Sequence, residues 1–333
     1  MSLVLKTEPG IETKQWQPSA CLAILQQRAA ILRTIREFFA IRGVMEVETP
    51  LMCHTSVTDP FIQSIPAYFQ APHQTVPTCY YLQTSPEYAM KRLLAAGSGP
   101  IYQITKAFRQ GEVGQYHNPE FTMMEWYRPG FDHHALMDEM DALLQLILKK
   151  PAAERKSYAE LFQSHLQLDP HHAALAELKA CAEHHELSVA MDIYDRDTWL
   201  NLLMTHVIEP RIGLEKPLFV YDFPASQAAL ARIQASNPPV ASRFEVYFRG
   251  LELANGFHEL QDAKEQRLRF EKNNQERIAQ GLPTLALDHY FLAALEHGLP
   301  DCAGVALGID RLVMLATHSE SIQEVLSFDF ARV

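Results

Sequence analysis

A chain of 333 residues exceeds the usual single domain, yet it can fold around one large core. With 47% hydrophobic and 21% charged residues it has the composition of a soluble globular protein, and no apolar run approaches the roughly 20 residues needed to span a bilayer, so no membrane partner is expected. The net charge of −11 argues against a protein that grips nucleic acid mainly by its phosphates, since that requires a basic stripe and none is visible.

Residues 1–20, with Pro9, Gly10 and Pro18 and no periodicity, read as an N-terminal extension. From Cys21 a helix is predicted, because Leu25, Leu32, Ile35 and Phe39 share one face, with Gly43 placed to cap it. Val44 to Val47 reads as a short strand ending before Pro50. Ile101 to Arg109 and Phe121 to Tyr127 read as a long hairpin joined through Gly111, Gly114 and Pro119. Residues from about 135 to 205 are helical in pattern without a chemical signature, and are expected to be an insertion that props up the core. Strands are predicted at Leu218 to Asp222, Phe244 to Leu253 and Gly304 to Ile309, the last running into an apolar helix from Asp310. Antiparallel strands mixed with helices, without βαβ regularity, give an α+β fold class.

Neither a G-x-x-x-x-G-K-[ST] loop nor a G-x-G-x-x-G turn is present, so a nucleotide site must be built differently. Cys21, Cys53, Cys79, Cys181 and Cys302 are odd in number, scattered and never spaced C-x-x-C, which speaks against a disulfide framework or a zinc site and fits a reducing cytoplasm. The pairs His133-His134, His171-His172 and His184-His185 lack a matching Cys or carboxylate constellation and read as surface histidines.

Strand parity supplies a test of function. Phe121, Met123, Glu125 and Tyr127 project to one side, Thr122, Met124, Trp126 and Arg128 to the other. The first face carries an aromatic plate, a carboxylate and a phenol. It suits a stacked base beside an ammonium group, but equally a strand at a wet sheet edge.

The flanking residues carry a resemblance. Phe108-Arg109-Gln110-Gly111-Glu112 followed by His117-Asn118-Pro119-Glu120-Phe121 through Tyr127 resembles motif 2 of class II aminoacyl-tRNA synthetases of the lysyl type. Gly304 through Arg311 resembles motif 3, and Phe38-Phe39 through Gly43, Val47 and Pro50 resembles motif 1, the dimer-forming motif of that family. With the run Glu252 to Leu260, these motifs span nearly the whole chain. Ser85-Pro86-Glu87 and Glu125 through Pro129 further resemble the lysyl-tRNA synthetase paralogues that ligate (R)-β-lysine to elongation factor P.

The resemblance implies a class II synthetase catalytic domain at 21–333, an antiparallel sheet flanked by helices, and no anticodon-binding domain. It implies ATP and Mg2+, a lysine-like amino acid, elongation factor P as protein substrate, no tRNA, and a cytoplasmic homodimer. Arg109 is expected on the α-phosphate and Arg311 over the adenine face opposite Phe121. Gln110, Gly111, Glu112, His117, Asn118, Leu253 and Gly308 complete the expected ATP site. Ser85, Pro86, Glu87, Glu125, Tyr127, Glu259 and Ala306 would hold the amino acid. Glu252 and Glu259 are the expected magnesium ligands; seven apart, they would face opposite ways on a regular strand, so Asn255-Gly256 is read as a turn that brings them together.

Two departures from the family pattern stand out. The carboxylate of the usual R-x-E stands one place late, as Glu112 after Gly111, and Ala306 occupies a position where lysyl-tRNA synthetases have glycine, which is expected to disfavour α-lysine. Alternatives are a minimal lysyl-tRNA synthetase and a catalytically silent regulatory paralogue.

Overall fold

A computed structural model describes residues 16–187 and 195–333. Most of the expected N-terminal extension lies outside these residues; its end is tied down, with Ser19 N donating to Ser327 O at 2.8 Å and Ala20 N to Leu326 O at 3.0 Å.

Helix α1 (Leu22–Ala40) buries Ile35, Phe38 and Phe39 and leads into the two-residue strand β1 (Met45–Glu46). Strands β2 (Met52–Cys53), β3 (Pro66–Phe69) and β4 (Thr78–Leu82) form a small separate sheet in the order β2-β4-β3. Helix α2 (Glu87–Ala95) precedes the predicted hairpin, β5 (Ile101–Phe108) and β6 (Glu120–Pro129), which pairs antiparallel along its length. Then come α3 (His133–Leu148), β7 (Glu154–Ser157), α4 (Tyr158–Leu166), α5 (Leu175–His184) and α6 (Arg196–Leu203). Helix α4 starts at a capping box in which Ser157 Oγ accepts from Glu160 N and the Glu160 carboxylate accepts from Ser157 N. Strands β8 (Leu218–Pro224), β9 (Ile233–Gln234), β10 (Val240–Phe248) and β11 (Leu251–His258), helices α7 (Ala263–Ala279) and α8 (His289–Gly298), strand β12 (Cys302–Gly308) and helix α9 (Ile309–Ala316) complete the order.

The main sheet runs β1-β5-β6-β12-β11-β10-β8-β7, parallel only at its two ends, β1 with β5 and β7 with β8. One face is sealed by α1, α3 and α9, whose Phe39, Leu136 and Leu312 join Trp126, Phe244 and Val305 of the sheet in the largest core. The opposite face is covered only at its flanks. Helices α2, α7 and α8 pack over one side around Phe291 and Tyr127, and α4 to α6 over the other around Phe162 and Tyr247. Between them the central strands are left without a helical cover, and there the polar side chains collect.

Four expectations are corrected. Residues 135–205 do not act as one insertion: α3 belongs to the main core and β7 extends the main sheet, so only the later helices form a cluster of their own. The strand predicted over Phe244 to Leu253 is two strands, because Arg249 and Gly250, both at positive φ (53° and 71°), make the two-residue reversal of a hairpin. Asn255-Gly256 is no turn; both residues lie inside β11, paired on either side, and a Cβ at Gly256 would stand 2.4 Å from the Phe244 ring. His133 is no surface histidine: it is 4% exposed, its ring nitrogens lack hydrogen-bond partners, and its Nε2 lies 3.5 Å from Asp222. Among the described residues no helix is long and apolar enough to cross a membrane.

Candidate active site

Strand β12 forms the floor. Its residues facing the open side are Gly304, Ala306 and Gly308, while Ala303, Val305 and Leu307 point into the main core. Alternate small residues on a central strand leave a trough, walled by the longer side chains of its neighbours. The register gives the walls: Glu125, Ala306, Asn255 and Glu245 stand in one cross-strand row, and Tyr127, Gly304, Phe257 and Arg243 in the next. Gly304 is required, since a Cβ there would lie 2.3 Å from the Tyr127 ring and 2.6 Å from Glu259 Oε1. At Gly308 an added Cβ would meet only ordinary contacts, 3.7 Å from Leu253 O.

At one end of the trough the expected phosphate residues converge. Arg311 Nη1 donates to Glu252 O at 2.8 Å and its Nη2 lies 2.7 Å from His117 Nε2. Burial and then the Arg311 charge hold the His117 pKa below its usual value, and Glu112 and Arg109 also act on it, so both arginines meet at this histidine. The guanidinium of Arg109 sits 5.1 Å from the Phe121 ring centre, and its Nη1 lies 3.4 Å from Glu112 Oε1. Phe121 is thus covered by Arg109 here, while Arg311 is held by His117 and the Glu252 carbonyl. Asp310 fixes the base of Arg311: it accepts from Thr122 N at 2.7 Å and pairs with Arg28 of α1 at 2.6 Å, tying the motif 2-like and motif 3-like segments to α1.

Asn118 is used differently from expectation. Its amide donates to Glu120 O and accepts from Phe330 N at 3.0 Å, which commits it to holding the C-terminal segment against the hairpin loop. Gln110 donates its backbone N–H to Gln63 O at 2.8 Å, and Gly111 takes a positive φ of 84° that turns the chain.

At the other end stand the amino-acid candidates. Ser85 Oγ donates to Glu125 Oε1, and Tyr127 OH donates to Glu125 Oε2 at 3.0 Å. Pro86 precedes the first turn of α2, where Glu87 pairs with Lys91 at 2.6 Å. Lys91 pairs equally closely with Glu259, also at 2.6 Å. Burial, then the Glu87 charge, pushes Glu125 up to about 8; burial pushes Glu259 up to about 7, against the opposing pull of Lys91. Such carboxylates gain most when a cation arrives.

The expected metal pair is separated. Glu252 lies near the start of β11 and Glu259 just beyond its end, about 20 Å of extended chain apart. The carboxylate that acts most on Glu252 is instead Glu245 on β10: burial and then the Glu245 charge raise Glu252 to about 7. Glu245 is 7% exposed and accepts from Arg243 and from Tyr247 OH. Glu209, reaching in from the segment after α6, also acts on Glu252, and its carboxylate accepts from Thr205 Oγ1 at 3.1 Å. Sequence reading missed Lys91, Glu209 and Glu245. Only Glu245 left a signal, as the middle one of Arg243, Glu245 and Tyr247, which alternate with Phe244, Val246 and Phe248 along the strand.

Comparison with known proteins fits this geometry. The family model described as tRNA synthetases class II (D, K and N) matches residues 15–332. A protein of Vibrio cholerae serotype O1 named elongation factor P–(R)-β-lysine ligase is 56% identical over 318 residues, 95% of this chain and 98% of its own. Proteins of the same name from Edwardsiella ictaluri, 55% identical over 318 residues (95% and 98%), and Klebsiella pneumoniae, 53% identical over 322 (96% and 99%), are similar along the same length. The chain therefore belongs to the class II (D, K and N) tRNA synthetase family, in its elongation factor P–(R)-β-lysine ligase branch.

Proposed function

We propose that this protein uses ATP to activate a lysine-like amino acid, (R)-β-lysine first among them, as an adenylate and transfers it to a lysine side chain of elongation factor P without tRNA. One observation carries the reading: a single trough over β12 has two arginines and the carboxylates Glu245 and Glu252 toward one end and three carboxylates toward the other. The nearly full-length likeness to ligases of that name supports the substrates. The net charge of −11 supports a partner other than tRNA.

Chemically, the amino acid's carboxylate oxygen attacks the α-phosphorus and pyrophosphate leaves. A neutral lysine amine of the target then attacks the mixed-anhydride carbonyl, AMP departs and the amine loses a proton. Neither step needs an enzyme nucleophile, so the protein's contribution is alignment and charge stabilisation. Arg109 stabilises charge on the α-phosphate, and Phe121 and Arg311 form the nucleotide's stacking and cationic neighbours. Glu245 and Glu252 fit magnesium, since a cation would relieve the repulsion by which Glu245 raises Glu252; when bound, the ion would offset phosphate charge. Glu87, Glu125 and Glu259 receive the ammonium groups.

A homodimer and a cytoplasmic location belong to the same proposal, and the motif 1 resemblance of Phe38 through Pro50 supports the dimer. Amino-acid-dependent ATP–pyrophosphate exchange over a panel of lysine isomers tests activation, and transfer of label to elongation factor P or to tRNA tests the acceptor. No exchange with any isomer, or label on tRNA alone, would refute the reading.

A further inference from the structure

A cation stands at the heart of a pocket assigned to binding cations. Lys91, 1% exposed, lies one helical turn after Glu87, with its Nζ 2.6 Å from Glu87 Oε1 and 2.6 Å from Glu259 Oε2. If negative charge were all the pocket needed, this ammonium would compete with the substrate for two of its three carboxylates.

We propose that Lys91 is a positioning residue of the amino-acid subsite: it holds Glu87 and Glu259 in place through paired contacts and sets the pocket's charge to suit a two-amine amino acid. The inference rests on the proposed reading of this pocket. Glu87, Glu125 and Glu259 share one buried space, and three carboxylates cannot all ionise there unaided. Lys91 offsets one of those charges. Burial alone would lower its pKa, but Glu259 and Glu87 outweigh burial and keep it protonated. Once a substrate's ammonium groups draw the protons from Glu125 and Glu259, three carboxylates less one ammonium leave two net negative charges, matching the two ammonium groups of a lysine isomer whose own carboxylate points toward the nucleotide. An amino acid with one ammonium leaves a buried charge unpaired and is rejected for that reason.

Position supports a role through other groups. Lys91 hydrogen-bonds to Glu87, and its ammonium lies 5.7 Å from the Phe291 ring in the apolar cluster under α2, away from Arg109 and Arg311. Its loss should disturb amino-acid binding and spare ATP.

The test measures amino-acid and ATP KM by pyrophosphate exchange from pH 6 to 9 for wild type, Lys91→Met and Lys91→Arg, with β-lysine, α-lysine and norleucine. Lys91→Met is expected to raise the KM of the best lysine isomer about 10-fold or more while ATP KM stays within about twofold. It should also narrow the preference for lysine isomers over norleucine and move the acid limb of amino-acid binding to higher pH, because Glu259 loses its counter-charge. Lys91→Arg, which keeps the charge, should recover part of each effect. An unchanged amino-acid KM, or amino-acid and ATP KM rising together with the pH limb unmoved, would overturn the proposal. If Lys91→Met does not fold, Lys91→Gln, which keeps a hydrogen-bond donor and drops the charge, is measured instead; it must raise amino-acid KM and keep ATP KM, and wild-type amino-acid KM would overturn the idea. Failure of the pocket reading shows separately, as no exchange by the wild type with any lysine isomer.

Discussion

Glu252 stands opposite Tyr247 across the β10–β11 pair, while Ala254 stands opposite Val246, so Leu253 is an extra residue in β11. Leu253 and Ala254 both bury into the main core, and this bulge breaks the alternation once. The consequence is that Glu252 faces the trough together with Asn255, and comes under the charge of Glu245. A regular strand would have turned Glu252 toward the core.

Because Glu245 and Glu252 repel, neutralising one should relieve strain in the empty protein while removing its hold on metal–nucleotide. Glu252→Gln is expected to raise the melting temperature without ligand by roughly 2 °C or more and to lower ATP–pyrophosphate exchange by about 100-fold or more. Melting curves and exchange rates check both. A variant that is less stable and still active would show that the pair does neither job.

Stability should depend on pH with a definite sign. Glu125 is pushed up to about 8, and Glu252 and Glu259 to about 7, from the 4.5 of an unburied glutamate. Through neutral pH the folded protein therefore holds protons that the unfolded chain has released, and stability falls as pH rises. The loss should be clearest between pH 7 and 8.5, above the range in which His117, His134 and His258, with lowered pKa values, act in the opposite direction. Ligand-free melting at pH 7, 7.75 and 8.5 should show a decline that Glu125→Gln makes shallower. A melting temperature that rises across this window in the wild type would contradict the assignment.

Arg109 is poised for a ligand. Its Nε is buried without a hydrogen-bond partner, its ion pair with Glu112 spans 3.4 Å, and its remaining contact is with the Phe121 ring. Arg109→Ala should lower pyrophosphate exchange about 100-fold or more with the melting temperature nearly unchanged. Arg109→Lys should recover little, since one ammonium cannot hold two phosphate oxygens as a planar fork does. Normal exchange by Arg109→Ala would remove Arg109 from the α-phosphate.

Much of this site was legible in the chain because period-two alternation survives wherever strands are regular. The faces assigned to β6 hold: Met124 and Trp126 are in the main core, while Glu125 and Tyr127 line the trough. Legibility failed where alternation was broken or where contacts were distant in sequence. The bulge at Leu253 hid the facing of Glu252, and Arg249-Gly250 hid a hairpin inside an apolar run. Asn255-Gly256 mimicked a turn, although Gly256 is there to admit the Phe244 ring. Lys91 and Glu209 gave no pattern, since their partners, Glu259 just beyond β11 and Tyr247 on β10, lie far along the chain. Asn118 sits in a loop with phosphate chemistry on either side, and only the fold shows the C-terminal segment claiming its amide.

Ala306 offers the most direct test of specificity. It stands in one row between Glu125 and Asn255 at the middle of the trough, the point where the two ends meet. Its methyl is the one Cβ among the three floor residues Gly304, Ala306 and Gly308. An α-amino acid places its amine one carbon nearer the reacting carboxylate than a β-amino acid does, so a methyl on the floor penalises the two isomers unequally. A contact of one methyl group is worth about 10-fold or more in kcat/KM. Ala306→Gly is therefore expected to raise the α-lysine to β-lysine ratio of kcat/KM in pyrophosphate exchange by about 10-fold, with a small fall in melting temperature because glycine loosens a central strand. ATP KM serves as the control and should stay within about twofold. A ratio unchanged in a folded variant would mean that the isomers are told apart elsewhere in the pocket.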